Sequence, residues 1–251
     1  MLNIENVSKV FNTGTANERT ALDNVSLHLP KGDFVTIIGG NGAGKSTLLN
    51  AINGLFLADS GRITLDGEDI TFLPEYKRAR YIGRLFQDPM KGTAPNMTIA
   101  ENLALAYQSA SRSRFRIGIG KDLLKLFRER LALLDLGLED RLKTNMGLLS
   151  GGQRQAITLL MATMYTPKLL MLDEHTAALD PGTAEKVLKL TEEIIAADNI
   201  TTIMVTHDMT SALRLGNRTI MMESGKIAFE LAGDERNGMT PERLTGMFGN
   251  V

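Results

Sequence analysis

Apolar residues along this chain fall into blocks of two lengths. Asp33-Phe34-Val35-Thr36-Ile37-Ile38 is a β-branched run of strand length, which predicts a buried strand. Lys168-Leu169-Leu170-Met171-Leu172-Asp173 repeats that pattern, as do residues 200–205 and 218–223. Two more short strands are predicted at Gly61-Arg62-Ile63-Thr64-Leu65-Asp66-Gly67 and at Tyr81-Ile82-Gly83-Arg84-Leu85-Phe86, the second ending at Gln87. Residues 2–8 and 22–29 also read as strands, with Asn12-Thr13-Gly14-Thr15 opening a polar loop between them. Helical spacing appears over Ser46–Ile52, 182–197 and 208–215. Between Asp122 and Leu134, Leu123, Phe127, Leu131 and Leu134 recur on one face, with Lys125, Arg128 and Glu129 opposite. Thr98-Ile99-Ala100-Glu101 has the form of a capping box, and the pattern stays helical to about Thr166.

The alternation of strand and helix around residue 40 and after residue 168 argues for an α/β fold with a mostly parallel sheet covered by helices. Asp88 to Asn96 carries two prolines and a glycine and reads as a loop. It divides the strand-rich part from an inserted helical subdomain. The expected organisation is one domain over 1–251, with a core of 1–88 and 167–251 and a helical part of 89–166.

Composition narrows the function classes. The 251 residues are 43% hydrophobic and 23% charged, with a formal net charge of −1, so nothing in the overall charge calls for nucleic acid. There is no cysteine, which excludes disulfides, thiolate metal sites and cysteine catalysis. Met1-Leu2-Asn3-Ile4-Glu5-Asn6 lacks a basic n-region and an apolar h-region, so no signal peptide is expected there. No apolar run approaches the ~20 residues of a membrane helix. If the protein works at a membrane, another chain must cross it. The basic cluster Ser111-Arg112-Ser113-Arg114-Phe115-Arg116 reads as a solvated loop.

The chemistry concentrates at three places. Gly39-Gly40-Asn41-Gly42-Ala43-Gly44-Lys45-Ser46-Thr47 fits G-x-x-x-x-G-K-[ST] between a predicted strand and a predicted helix. Glycines let successive N–H groups turn toward one anion, and the helix N-terminus adds partial positive charge. Lys45 is expected to reach the β- and γ-phosphates of a nucleoside triphosphate, and the Ser46 hydroxyl to bind Mg²⁺. At the second place, the strand 169–172 ends in Asp173-Glu174. A buried strand ending in acid delivers charge to the sheet edge where phosphates bind. Asp173 suits Mg²⁺ and Glu174 suits activation of water. The third place is Leu149-Ser150-Gly151-Gly152-Gln153, where Ser150 can cap a helix beginning near Gln153 and paired glycines leave N–H groups uncovered. This is a second anion site in a chain with one P-loop, so it suggests service to a neighbour's nucleotide.

P-loop, Leu-Ser-Gly-Gly-Gln, apolar-Asp-Glu and a lone His after a strand occur in the order of the ATP-binding-cassette ATPases, and the chain resembles that family over essentially its whole length. The resemblance implies a P-loop NTPase core of RecA type, an N-terminal antiparallel β subdomain and an inserted helical subdomain. It implies that two copies pack head to tail, each ATP lying between one P-loop and the partner's Ser150, Gly151, Gly152 and Gln153. Gln87 matches the glutamine that contacts Mg²⁺ or water and relays nucleotide state. Ala178-Leu179-Asp180 matches the loop lying across the dimer interface. His207 matches the switch histidine on the γ-phosphate, and Phe11 the aromatic that stacks on adenine. By the same resemblance ATP and Mg²⁺ are the ligands. The partners are a second copy, permease subunits and a solute-binding lipoprotein, at the cytoplasmic face of the membrane.

Where family members often carry Pro after the acid pair, His175 stands here; next to Glu174 it could tune the base, but a surface or capping role is expected for it. The Asp173-Glu174-His175-Thr176-Ala177-Ala178-Leu179-Asp180 run is most similar to a bacterial uptake group for small solutes such as amino acids. Within the family, a soluble iron–sulfur assembly ATPase and an exporter ATPase are the alternatives. A P-loop kinase leaves Ser150-Gly151-Gly152 without a role.

Overall fold

A computed structural model describes residues 1–110 and 119–248, so the cluster at 111–116 lies outside the described residues. In chain order the elements are β1 (Leu2–Phe11), β2 (Arg19–Leu29), β3 (Phe34–Ile38), α1 (Lys45–Asn53), β4 (Ser60–Leu65), β5 (Glu68–Asp69), α2 (Glu75–Arg78) and β6 (Ile82–Leu85). Then come α3 (Ile99–Ala110), α4 (Lys121–Ala132), α5 (Gly151–Thr163), β7 (Leu169–Asp173), α6 (Pro181–Asp198), β8 (Thr201–Val205), α7 (Met209–Arg214), β9 (Arg218–Glu223), β10 (Lys226–Ala232), α8 (Gly233–Asn237) and α9 (Pro241–Phe248). The chain divides into two compact units, one of residues 1–82, 168–173 and 199–251, the other of 83–167 and 174–198.

The first unit holds two sheets. One is antiparallel, in the order β2-β1-β4-β5. The other runs β10-β9-β3-β8-β7, with β9, β3, β8 and β7 parallel and β10 turned back along the edge. The fold is therefore mixed α/β with an antiparallel N-terminal sheet and a mostly parallel central one. Every residue of β3 and β8 is buried, which explains why these strands read as unbroken apolar runs instead of alternating. A single core joins Leu2, Val7 and Ile63 of the antiparallel sheet to Ile37, Leu48, Met171 and Ile203 of the α/β part. Arg78 is fully buried, and its guanidinium donates to the carbonyls of Leu73, Ala51, Ile52 and Thr71. Two of these belong to the last turn of α1, so Arg78 satisfies the open end of the helix that starts at the P-loop.

The second unit is mainly helical. Phe127 and Leu131 of α4 are buried with Ile99 and Leu103 of α3 and with Ala156, Ile157 and Leu160 of α5, as the helical spacing predicts. Thr98 and Glu101 form the expected capping box: the Thr98 N–H lies 2.7 Å from the Glu101 carboxylate, and the Glu101 N–H 3.2 Å from the Thr98 hydroxyl.

Candidate functional site

In the first unit the P-loop is a glycine-dependent backbone turn held from several sides. Gly39, Gly42 and Gly44 have φ of 152°, 83° and 103°. A β-carbon on Gly39 would meet the Met222 carbonyl at 2.3 Å, and one on Gly44 the Ala21 carbonyl at 2.6 Å. The first position requires glycine for space as well as for φ. Arg19 donates to the Gly42 carbonyl at 2.8 Å, and the Gly225 N–H to the Ala43 carbonyl at 3.0 Å. None of these four clamping residues was visible from sequence, because each reaches the loop from a distant strand or turn.

Lys45 is buried, and its Nζ donates to the carbonyls of Gly39 and Gly40 at 2.7 and 3.0 Å. The ammonium thus closes the loop from inside. Gly40, Asn41, Gly42 and Ser46 are exposed, while Ala43 and Gly44 are buried and Thr47 is half-buried. Gly44 is the N-cap of α1 and supplies no side-chain oxygen, so the first-turn N–H groups are left for an external acceptor. An exposed rim, an inward cation and an uncapped helix start fit an anionic phosphate chain.

Strand register brings the other candidates of this unit to the same edge. Val205 of β8 pairs with Ile37 of β3 on one side and with Asp173 of β7 on the other. With strands about 4.8 Å apart, Asp173 stands about 10 Å across the sheet from the strand end that becomes the P-loop. His207 lies two residues beyond Val205 and is exposed. Its neighbour Asp208 caps α7 through the N–H groups of Thr210 and Ser211, at 3.2 and 3.0 Å. Burial works to raise the Asp208 pKa, but the bonds from Ser211 and Thr210 outweigh it and hold the carboxyl below its usual value. His207 is thereby fixed between a strand end and a capped helix. Phe11, at the end of β1, is half-buried and packs edge-on to Phe56 with centroids 5.2 Å apart.

In the second unit Ser150 caps α5, as expected, though the helix already begins at Gly151. The Ser150 hydroxyl accepts from the Gln153 backbone N–H at 3.2 Å, and the Gln153 side-chain Oε1 accepts from the Ser150 N–H at 3.3 Å. Asp180 caps α6, accepting from the Thr183 N–H at 3.0 Å. That bond and a side-chain bond with Thr183 keep its carboxyl below the usual range. Gln87 is exposed just after β6. Glu174 is half-buried with φ of 47°. His175 corrects its expected surface or capping role: it is 2% exposed, and burial pushes its pKa down to about 4. Its imidazole meets the Thr191 hydroxyl of α6, 16 residues away, a pairing with no local signal in sequence.

Comparisons with known proteins identify the family. Residues 22–177 match the family model described as ABC transporter. The tyrosine transport ATP-binding protein of Clostridioides difficile (strain R20291) is 43% identical over 99% of this chain and 98% of its own length. The methionine import ATP-binding protein MetN of Pasteurella multocida (strain Pm70) is 35% identical over 90% of this chain, which spans 64% of that longer relative. Among solved structures, a dimeric post-hydrolysis state of an ATP-binding cassette bound to ADP and Pi matches with a TM-score of 0.80 and 31% identity, over 92% of this chain and 98% of that one. Another cassette, in its ADP conformation, matches with a TM-score of 0.78 and 29% identity, over 100% of this chain and 95% of that one. The chain belongs to the ABC transporter family, as a nucleotide-binding cassette that hydrolyses ATP.

Proposed function

We propose that this cassette hydrolyses ATP as a head-to-tail pair of identical chains and so drives a separate membrane permease in the uptake of a small solute of amino-acid type. The observation that carries the reading is the register of Ile37, Val205 and Asp173, which sets the P-loop, His207 and an acidic strand end along one sheet edge. Lys45 and the N–H groups around Gly42 to Thr47 hold the β- and γ-phosphates, with Gly39, Gly40 and Asn41 completing the loop. Phe11 stacks on the adenine. Among the described residues no three His, Cys, Asp or Glu side chains cluster as a metal site. Mg²⁺ takes one or two carboxylates and fills its shell with phosphate and water. Asp173, the Ser46 hydroxyl and Gln87 are the residues that would hold it, and the ion would offset phosphate charge.

Glu174 orients a water and takes its proton while the water oxygen attacks the γ-phosphorus. The bond to the β–γ bridging oxygen breaks, and ADP and phosphate leave. His207 donates to a γ-phosphate oxygen. Ser150, Gly151, Gly152 and Gln153 of one copy face the nucleotide of the other, and Asp180 lies near that interface. Within each chain the residue boundaries proposed are 1–88 and 167–251 for the catalytic core and 89–166 for the helical part.

No helix among the described residues is long and apolar enough to cross a membrane. In the proposed system a permease and a solute-binding lipoprotein supply transport, with this chain at the cytoplasmic face. The names of the tyrosine and methionine relatives favour an amino acid as cargo. The test is Glu174→Gln with ATP: gel filtration is expected to show a trapped dimer with no hydrolysis. A species that stays monomeric at saturating ATP overturns the paired-site reading. In liposomes carrying the permease, an amino-acid-loaded lipoprotein is expected to stimulate ATP hydrolysis above the unloaded one.

A further inference from the structure

Glu174 is one of eight non-glycine residues with positive φ among the described residues, and the others are Asn, Asp or Ser. Asn and Asp enter the left-handed region most readily, and Glu is uncommon there. Such a conformation persists only where the surroundings impose it. Two features of the second unit do so. The Ala177 N–H donates to the Glu174 carbonyl at 3.0 Å and closes a turn over residues 174–177. The side chain at the next position, His175, points inward and is anchored on α6.

The anchor has a defined polarity. The Thr191 hydroxyl donates to the Val187 carbonyl at 2.7 Å, with its proton in the α6 backbone ladder. Toward His175 it can then only accept, so the Nε2 of the imidazole carries the proton across the 3.3 Å contact. Both groups are buried, His175 at 2% and Thr191 at 1% exposure, so neither exchanges this partner for water without leaving its place. Pro at this position could hold a turn, but it could not reach α6 with a hydrogen bond.

We propose that His175 is a positioning residue for hydrolysis: its Nε2–H bond to Thr191 holds the left-handed turn at Glu174 and so sets the direction of the Glu174 carboxylate. This rests on the reading of Glu174 as the base. Displacing a reacting group by about 1 Å can cost up to ~100-fold in rate. Nucleotide binding depends on other residues and stays intact.

The experiment is steady-state ATP hydrolysis by the full chain carrying His175→Ala, Thr191→Val or Thr191→Ser. His175→Ala and Thr191→Val are each expected to lower kcat about 10- to 100-fold with KM for ATP within about twofold. Thr191→Ser, which keeps the acceptor, is expected to retain a near wild-type kcat. The double variant is expected to be no slower than the worse single one. Thr191→Val preserves side-chain volume and decides alone if His175→Ala does not fold. An unchanged kcat in Thr191→Val, or a loss carried by KM, overturns the proposal. Glu174→Gln separates the two readings. If it still hydrolyses ATP at the wild-type rate, the base assignment fails and takes the positioning role with it. If it is inactive while Thr191→Val is not slowed, only the positioning role fails.

Discussion

Gly152 and Thr183 approach so closely that a β-carbon on the glycine would lie 2.0 Å from the Thr183 methyl. Gly152 is in the first turn of α5 and Thr183 in the first turn of α6, whose N–H is already committed to Asp180. The second glycine of Ser150-Gly151-Gly152 is therefore needed for helix packing within its own chain, besides any part it plays toward a partner's nucleotide.

Gly152→Ala is accordingly expected to destabilise the chain by about 1–3 kcal/mol, the usual range for overpacking at a tight contact. Thr183→Ser removes the offending methyl and keeps the N–H that Asp180 caps, so the double variant should recover most of the loss. Urea midpoints of the four proteins check this. A Gly152→Ala protein as stable as wild type would show that the two helix starts separate at no cost.

Lys45 is a structural cross-tie, and the proposed mechanism also gives it the phosphate. Its Nζ bonds to the Gly39 and Gly40 carbonyls hold the loop closed, and the proposal uses the same ammonium as the cation of the anion site. Lys45→Ala is expected to weaken ATP binding by at least tenfold, measured by equilibrium titration. Unchanged affinity would mean that the loop does not hold the nucleotide.

The P-loop was legible in the sequence because its chemistry is contiguous: one strand, nine residues and one helix carry the whole device. The capping box at Thr98 and the N-cap at Ser150 were legible for the same reason, since the groups involved sit within three residues of one another. What surrounds the loop was not. Arg19, the Ala21 and Met222 carbonyls and the Gly225 N–H converge only after both sheets have formed, and none belongs to a local pattern. His175 was misplaced on residue type alone. A histidine flanked by Glu and Thr reads as surface, and the Thr191 hydroxyl that makes its burial tolerable comes from a helix still to be packed. The C-terminal elements β10, α8 and α9 went unread. They are short, and β10 exposes or half-exposes all of its residues but Leu231, so little apolar pattern marks it.

His207 is expected to act on the rate and not on binding. It stands beyond the β8 strand end beside Asp208, which caps α7, and in the proposed mechanism it donates to the γ-phosphate. Removing one preorganised donor to a transferring group costs about 100- to 1,000-fold in kcat. His207→Ala should show a loss of that order with ATP affinity preserved. Equal losses in affinity and rate would place His207 in ground-state binding instead.

Asp59 ties down the strand end that presents Phe11, and its titration should report it. Its carboxylate accepts from Lys9 Nζ and from the Val10 N–H, each at 2.7 Å, and Lys9 in turn sits 5.5 Å from the Phe11 ring centroid. The Lys9 bond, then the Val10 bond, lower the Asp59 pKa below its ordinary value of 3.8. A carboxyl with a depressed folded pKa contributes stability that is fully present above the ordinary value and is lost as pH falls through the folded one. The contribution is modest, because the carboxylate is largely exposed. Carbon-13 NMR of the side chain is expected to show a midpoint below that of unfolded Asp, and Lys9→Met should move it upward. A midpoint that Lys9→Met leaves in place would show that the salt bridge does not hold in solution, and that Phe11 owes its position to Phe56 and the β1 backbone alone.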